Sequence, residues 1–233
     1  MPIVIKKYLN TSQTIVDDKK YNIVIGISLG NKYFSKENIR EYIVWALEHT
    51  KKDVLVVVAD AIQSVNYEAF NEYSPTRAIA VAKRKGEEII KIIEEVIYDL
   101  SKKQRDLIRV ITWKDVINPA WYQDNLKFIR EEFETNPKFY DFIMSIIQEN
   151  RPATFFKLSE LQLKKAAEYV IGELPMLISG VDFGGKIYDL LPYPGLGKID
   201  ELAVGLQDGT LFPELTMKLV INNKMAVLEA YVE

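Results

Sequence analysis

Three short runs rich in Val and Ile, "YNIVIGIS" (21–28), "DVLVVVAD" (53–60) and "LIRVIT" (107–112), constrain the fold of this chain most. They show little apolar–polar alternation, so both faces of each strand must be covered. Such strands suit a parallel sheet with helices packed on both sides. The segments between them supply those helices. Residues 36–50 place Ile39, Ile43, Trp45, Ala46 and Leu47 along an apolar face. A longer helix over about 76–101 is announced by Ser74-Pro75 as cap and first-turn proline. Strand–helix–strand–helix–strand is the pattern of a Rossmann-like half.

Past residue 113 the pattern is mainly helical, with helices expected at about 121–135, 138–149 and 159–173. The last opens on Ser159-Glu160-Leu161-Gln162, a capping box, and is expected to end where Leu174-Pro175 follows Glu173. The tail "MKLVINNKMAVLEAYVE" reads as one or two strands around Asn222-Asn223. No Pro/Gly/Ser-rich linker divides the 233 residues. The expectation is therefore a single α/β domain over 1–233, Rossmann-like, with a mainly parallel sheet flanked by helices.

Composition narrows the chemistry. Cysteine is absent, which removes disulfides, thiolate metal sites and Cys nucleophiles together and fits a reducing cytosol. Histidine occurs once, at His49, so one chain cannot build a two- or three-His metal site. The net charge of −3 confines any nucleic-acid surface to a local patch. No apolar run reaches the length of about 18 that spans a bilayer. The N-terminal "MPIVIKKYLNTSQT" lacks the charged and apolar regions of a signal peptide. A cytoplasmic protein without membrane contact is expected.

Three features carry candidate chemistry. Gly26-Ile27-Ser28-Leu29-Gly30 is G-x-S-x-G in the strand–turn–helix context of a nucleophile elbow. A hydrolase triad on such a fold places its His far downstream, whereas His49 closes the very next helix. A helix of about 14 residues rises roughly 20 Å and carries that His away from Ser28. A serine esterase therefore lacks its base, and the loop can also be a plain tight turn. Neither G-x-x-x-x-G-K-[ST] nor G-x-G-x-x-G occurs, so a phosphate loop is not supported. The second feature is "AAEYVIGELPMLISG" (166–180), where Tyr169 and Glu173 share a helix face with Ala166 and Val170. A carboxylate on an apolar face at a helix end is costly, and both a functional role and a structural ion pair are open. The third is Tyr193-Pro194 in "DLLPYPGLGK", open between a packed loop and a site.

Taken together, G-I-S-L-G-N at 26–31, "VVVADAIQSVNYEAF" at 56–70, Y-x-x-x-E-x-P at 169–175 and Tyr193-Pro194 resemble the cyclodipeptide synthases. These are relatives of the tyrosyl and tryptophanyl class I aminoacyl-tRNA synthetases. The resemblance implies that fold and an enzyme that makes a 2,5-diketopiperazine from two aminoacyl-tRNAs, without ATP, cofactor or metal. It implies that Ser28 carries the first aminoacyl group as an ester in a ping-pong sequence. Tyr169 and Glu173 hold its ammonium, Glu173 moves protons as the peptide bond forms, and Tyr193 positions Ser28. Gly26 and Asn31 would lie beside the substrate, the pocket opening next to Val24 and Gly26, and Asn150-Arg151 resembles a pair on the second-substrate side. Asp60 and Asn66-Tyr67 match family positions, with their roles open. Tyr193-Pro194 places the chain with the Tyr-Pro subgroup, although Asn31 is the residue of the other subgroup. The resemblance also favours a monomer. For tRNA, Arg77, Arg84 and Lys91 recur every seven residues, joined by Lys83 and Lys85, while interleaved glutamates leave a salt-bridged surface as the other reading. A silent Rossmann-like module that binds tRNA or a nucleotide is the rival from another class.

Overall fold

The computed structural model describes residues 2–150 and 158–233. Strand β1 (Ile3–Leu9) and a short helix α1 (Gln13–Asp17) lead into β2 (Ile23–Ser28). The chain continues through α2 (Lys36–His49), β3 (Val54–Ala59), α3 (Asp60–Asn71), α4 (Pro75–Tyr98), α5 (Lys102–Arg105) and β4 (Ile108–Thr112). Four helices follow: α6 (Trp113–Val116), α7 (Ala120–Thr135), α8 (Pro137–Asn150) and α9 (Glu160–Ser179). A hairpin of β5 (Val181–Phe183) and β6 (Lys186–Tyr188) precedes β7 (Leu190–Tyr193), α10 (Lys198–Asp208), α11 (Pro213–Thr216) and β8 (Ala226–Val232).

The main sheet has the order β1-β8-β7-β2-β3-β4. Its centre is parallel: β2 pairs with β3 from Ile23↔Val54 to Ser28↔Ala59, and β7 runs parallel to both β2 and β8. Only β1 is antiparallel, against β8. The mainly parallel α/β reading therefore holds, and its cause is visible in β3, where every residue is buried. Ile23, Ile25 and Ile27 pack with Val54, Val56 and Val58 on the face covered by α2 and α4. Val24, Leu55 and Val57 pack with α9 on the other. Each fully buried Val or Ile contributes about 1.5–3 kcal/mol.

Three expectations need correction. First, helix α9 does not stop at Leu174-Pro175 but runs on to Ser179. Pro175 cannot donate to the Ile171 carbonyl, a loss of roughly 3 kcal/mol in a helix interior. The last turns offset it by burial, since Leu174 and Ile178 are wholly enclosed and Met176 and Leu177 nearly so. The end comes at Gly180, whose φ of +78° and close approach to the Tyr188 carbonyl exclude a side chain. Glu173 thus lies more than a turn inside the helix. Second, the crossover from β3 to β4 holds two long helices rather than one; Asp60 directly follows the end of β3 as the first residue of α3, and Asn66 and Tyr67 lie further along that helix. Third, Asn222-Asn223 lies in the loop before β8, the one strand of the tail.

Candidate active site

Ser28 ends β2, at the carboxyl edge of the sheet between β3 and β7. The strand order switches about this point, because β3 follows β2 in sequence on one side while the parallel β7 on the other comes from the far end of the chain. Such switch points are where open α/β sheets form their crevices. Beyond Ser28 the chain turns at Gly30 (φ +82°). The Asn31 side chain accepts the Tyr33 N–H at 3.0 Å, and Ser35 caps α2 by accepting the Asn38 N–H.

A cavity of about 500 Å³ opens at this edge. Gly26, Ser28, Asn31, Asn150, Tyr169, Glu173 and Tyr193 all border it, so residues drawn from 26 to 193 of the chain meet in one place. Arg151 lies outside the described residues. Val24, expected beside the pocket, is instead packed in the core on the α9 side. Gly26 does face the space, and a Cβ there would meet Leu191 at an ordinary 3.6 Å.

The Ser28 hydroxyl lies 2.9 Å from the Tyr193 hydroxyl. Tyr193 is also engaged by the Asn31 side chain. Tyr169 and Glu173 border the same cavity, and the Tyr169 hydroxyl interacts electrostatically with both Ser28 and Glu173. A polar chain thus runs Asn31–Tyr193–Ser28–Tyr169–Glu173. Tyr169 and Glu173 meet because they are four apart on α9. Burial pushes the Glu173 carboxyl up to about 7, the Asp200 charge adds to the rise, and the Tyr169 hydroxyl works against it. Burial, and next the Glu173 charge, hold the Tyr169 hydroxyl well above its ordinary range. Tyr193 is raised by burial, against the hydrogen bonds from Ser28 and Asn31. A carboxyl that titrates near neutrality is poised to accept or give a proton.

No histidine serves Ser28. The His49 ring stacks on Trp45 with centroids 4.4 Å apart and bonds the Trp45 carbonyl, at the far end of α2. The triad geometry of a serine esterase is absent among the described residues.

Two residues with open roles find structural ones. Asp60 accepts the Trp113 N–H at 3.0 Å, and α4 crosses so close that a Cβ on Gly86 would meet its side chain at 2.7 Å. Tyr67 packs between α3 and α4 under Lys85, while its neighbour Asn66 borders the cavity. The α4 cations stand apart from the cavity. The Arg77 guanidinium lies 3.9 Å over the Tyr73 ring, Lys85 lies over Tyr67, and Arg84 pairs with Glu88 at 3.4 Å. Lys83 and Lys91 are exposed on the same helix. Sequence reasoning missed Asp200, a buried carboxylate of the cavity wall. Its one local signal is Gly197-x-x-Asp200, which reads as an ordinary helix start.

Among the described residues no helix is long and apolar enough to cross a membrane. A search of curated proteins found no match. Solved structures do match. A cyclodipeptide synthase from Bacillus thermoamylovorans superposes with a TM-score of 0.74 at 21% identity, covering 95% of this chain and 93% of its own. The Mycobacterium tuberculosis protein whose structure relates cyclodipeptide synthetases to type I tRNA synthetases gives 0.69 at 16%, covering 95% and 89%. The cyclodipeptide synthase of Candidatus Glomeribacter gigasporarum, solved bound to Phe-tRNAPhe, gives 0.61 at 17%, covering 95% and 93%. These likenesses establish the fold shared with class I tRNA synthetases. The sequence profile described as cyclodipeptide synthase matches residues 5–203, most of the chain and all of the cavity residues named above, and the chain therefore belongs to the cyclodipeptide synthase family.

Proposed function

We propose that the chain is a tRNA-dependent cyclodipeptide synthase of the Tyr-Pro subgroup, an aminoacyltransferase that uses two aminoacyl-tRNAs per product. It acts as a cytoplasmic monomer and needs no cofactor. The carrying observation is a serine hydrogen-bonded to a tyrosine at the mouth of a cavity, flanked by Tyr169 and Glu173, with no histidine beside it. That arrangement is poor for cleaving unactivated esters but sufficient for an aminoacyl-tRNA ester, which arrives activated.

Ser28 Oγ attacks the first aminoacyl carbonyl. The bond from that carbon to the ribose oxygen breaks, and the serine proton passes to the leaving oxygen by way of the neighbouring ribose hydroxyl. Tyr193 and Asn31 hold Ser28 in place, Gly26 leaves room for the aminoacyl group, and Tyr169 with Glu173 binds its ammonium. Glu173 then takes a proton from that ammonium. The freed amine attacks the second aminoacyl-tRNA, forming a C–N bond and releasing the second tRNA, with Asn150-Arg151 on that substrate's side. The dipeptidyl ester finally cyclises off Ser28. Arg77, Lys83, Arg84, Lys85 and Lys91 hold tRNA phosphates outside the cavity. The relative bound to Phe-tRNAPhe supports the substrate class. Incubation of purified protein with charged tRNAs, followed by mass spectrometry for diketopiperazines, tests this reading. TRNA binding without product would favour a silent module, and neither would overturn the tRNA-dependent reading altogether.

A further inference from the structure

Glu173 is not the only carboxylate in the cavity. Asp200, from the first turn of α10, borders the same space and is 8% exposed. One of its oxygens accepts the Gly197 N–H at 2.8 Å, which fixes the group in the wall. The ionisable groups that bear on Glu173 are Tyr169 on its own helix, Tyr122 on α7, Tyr193 on β7 and Asp200 on α10. None of them is a cation. Asp200 itself feels Glu201 on one side and the exposed Lys7 of β1 on the other. The first turn of a helix suits an aspartate, but a cap alone calls only for an acceptor, which asparagine also provides. A full negative charge kept beside Glu173, away from water, is an expense that capping does not explain.

We propose that Asp200 is a positioning residue for proton transfer at Glu173: fixed in the wall of the same cavity, its charge makes Glu173 a better acceptor for the ammonium proton of the seryl-bound aminoacyl group. Like charges sharing a space of low dielectric each strengthen the other's hold on a proton. Burial, with the helix N–H groups opposing it, leaves Asp200 itself at about 6, so its charge is present over the range where Glu173 titrates. The inference rests on Glu173 being the proton acceptor. Its test needs no tRNA, so its failure and the failure of the synthase reading are separate results.

The test is a 13C NMR titration of the full chain labelled at Asp and Glu side-chain carboxyls, with resonances assigned through Asp200→Asn and Glu173→Gln. In Asp200→Asn, which keeps an acceptor for the Gly197 N–H, the Glu173 midpoint should fall by roughly half to one pH unit. Asp200 titrates at about 6, where Glu173 still holds most of its proton, so in Glu173→Gln the Asp200 midpoint should move by less than this. The acid limb of the peptide-forming half-reaction should move down with the Glu173 midpoint, a change that a purely structural cap would not cause. If Asp200→Asn failed to fold, Asp200→Ser, which also keeps an acceptor for the Gly197 N–H, would take its place in the same titration of Glu173. An unmoved Glu173 midpoint in the folded variant would reduce Asp200 to a helix cap.

Discussion

Glu173→Gln should stabilise the protein at alkaline pH, and the size of the effect follows from where the carboxyl sits. Burial lifts it from 4.5 to about 7, and at 1.36 kcal/mol per pH unit that difference costs the folded state about 3 kcal/mol once the group is ionised. Glu173 is only half-buried where it borders the cavity, which trims this to about 2–3 kcal/mol. Between about pH 4.5 and 7 the native chain holds a proton that the unfolded chain has released, so stability falls as pH rises through that window. Above it the whole penalty is present; below it there is none. Glutamine removes the charge while its side-chain oxygen still accepts from Tyr169. The variant should therefore exceed wild type by about 2–3 kcal/mol near pH 8, or roughly 5–10 °C in Tm for a chain of this size. The gain should shrink to near zero toward pH 4.5. Urea melts of both proteins across that range measure it, the repulsion between Asp200 and Glu173 being already contained in the Glu173 shift. Parallel stability–pH curves would refute the placement of an ionisable Glu173 in the cavity wall.

The same substitution should lower turnover by about 10²–10⁴, the usual share of general acid–base catalysis. The loss should fall on peptide formation more than on seryl-ester formation, as single-substrate and two-substrate assays would reveal. Gly26→Ala should stay folded, with a strand gain of about 0.5–1 kcal/mol, because the new methyl meets only Leu191 at 3.6 Å. Its product spectrum, read by mass spectrometry, should shift toward smaller side chains. Reversing Arg84 and Lys91 to Glu should flatten the salt dependence of tRNA binding, at about 0.7–0.9 in log–log slope for each lost phosphate contact, and raise KM more than it lowers kcat. An unchanged slope in filter-binding titrations would leave α4 a salt-bridged surface.

The centre of the fold was legible where local pattern and burial agree. The Val/Ile runs of β2 and β3 lack alternation because helices cover both faces, and no tertiary knowledge is needed to read that; the edge strand β4 exposes Arg109. Ser159 with Gln162 was equally plain, its reciprocal bonds lying within one turn. The extent of α9 was not, because a local rule about Pro175 lost to the burial of Leu174–Ser179 in a core built by distant segments. The site divides in the same way. Tyr169 and Glu173 were legible as a pair four apart on one helix. The contact of Tyr193 with Ser28 depends on β7 docking beside β2 across 165 positions, which no periodicity shows. It was reached only through family resemblance. Asp200 escaped because a buried charge and a routine helix start look alike until the cavity around them is built.

Intact-protein mass spectrometry after mixing with a single charged tRNA, followed by peptide mapping, tests the central claim most directly. Wild type should gain the mass of one aminoacyl residue on the peptide that contains Ser28, and hydroxylamine should remove it as expected of an ester. Ser28→Ala, which deletes one hydroxyl and the 2.9 Å contact to Tyr193, should fold, bind tRNA and gain nothing. An aminoacyl adduct on Ser28→Ala, or diketopiperazine formed by that variant at the wild-type rate, would contradict the account.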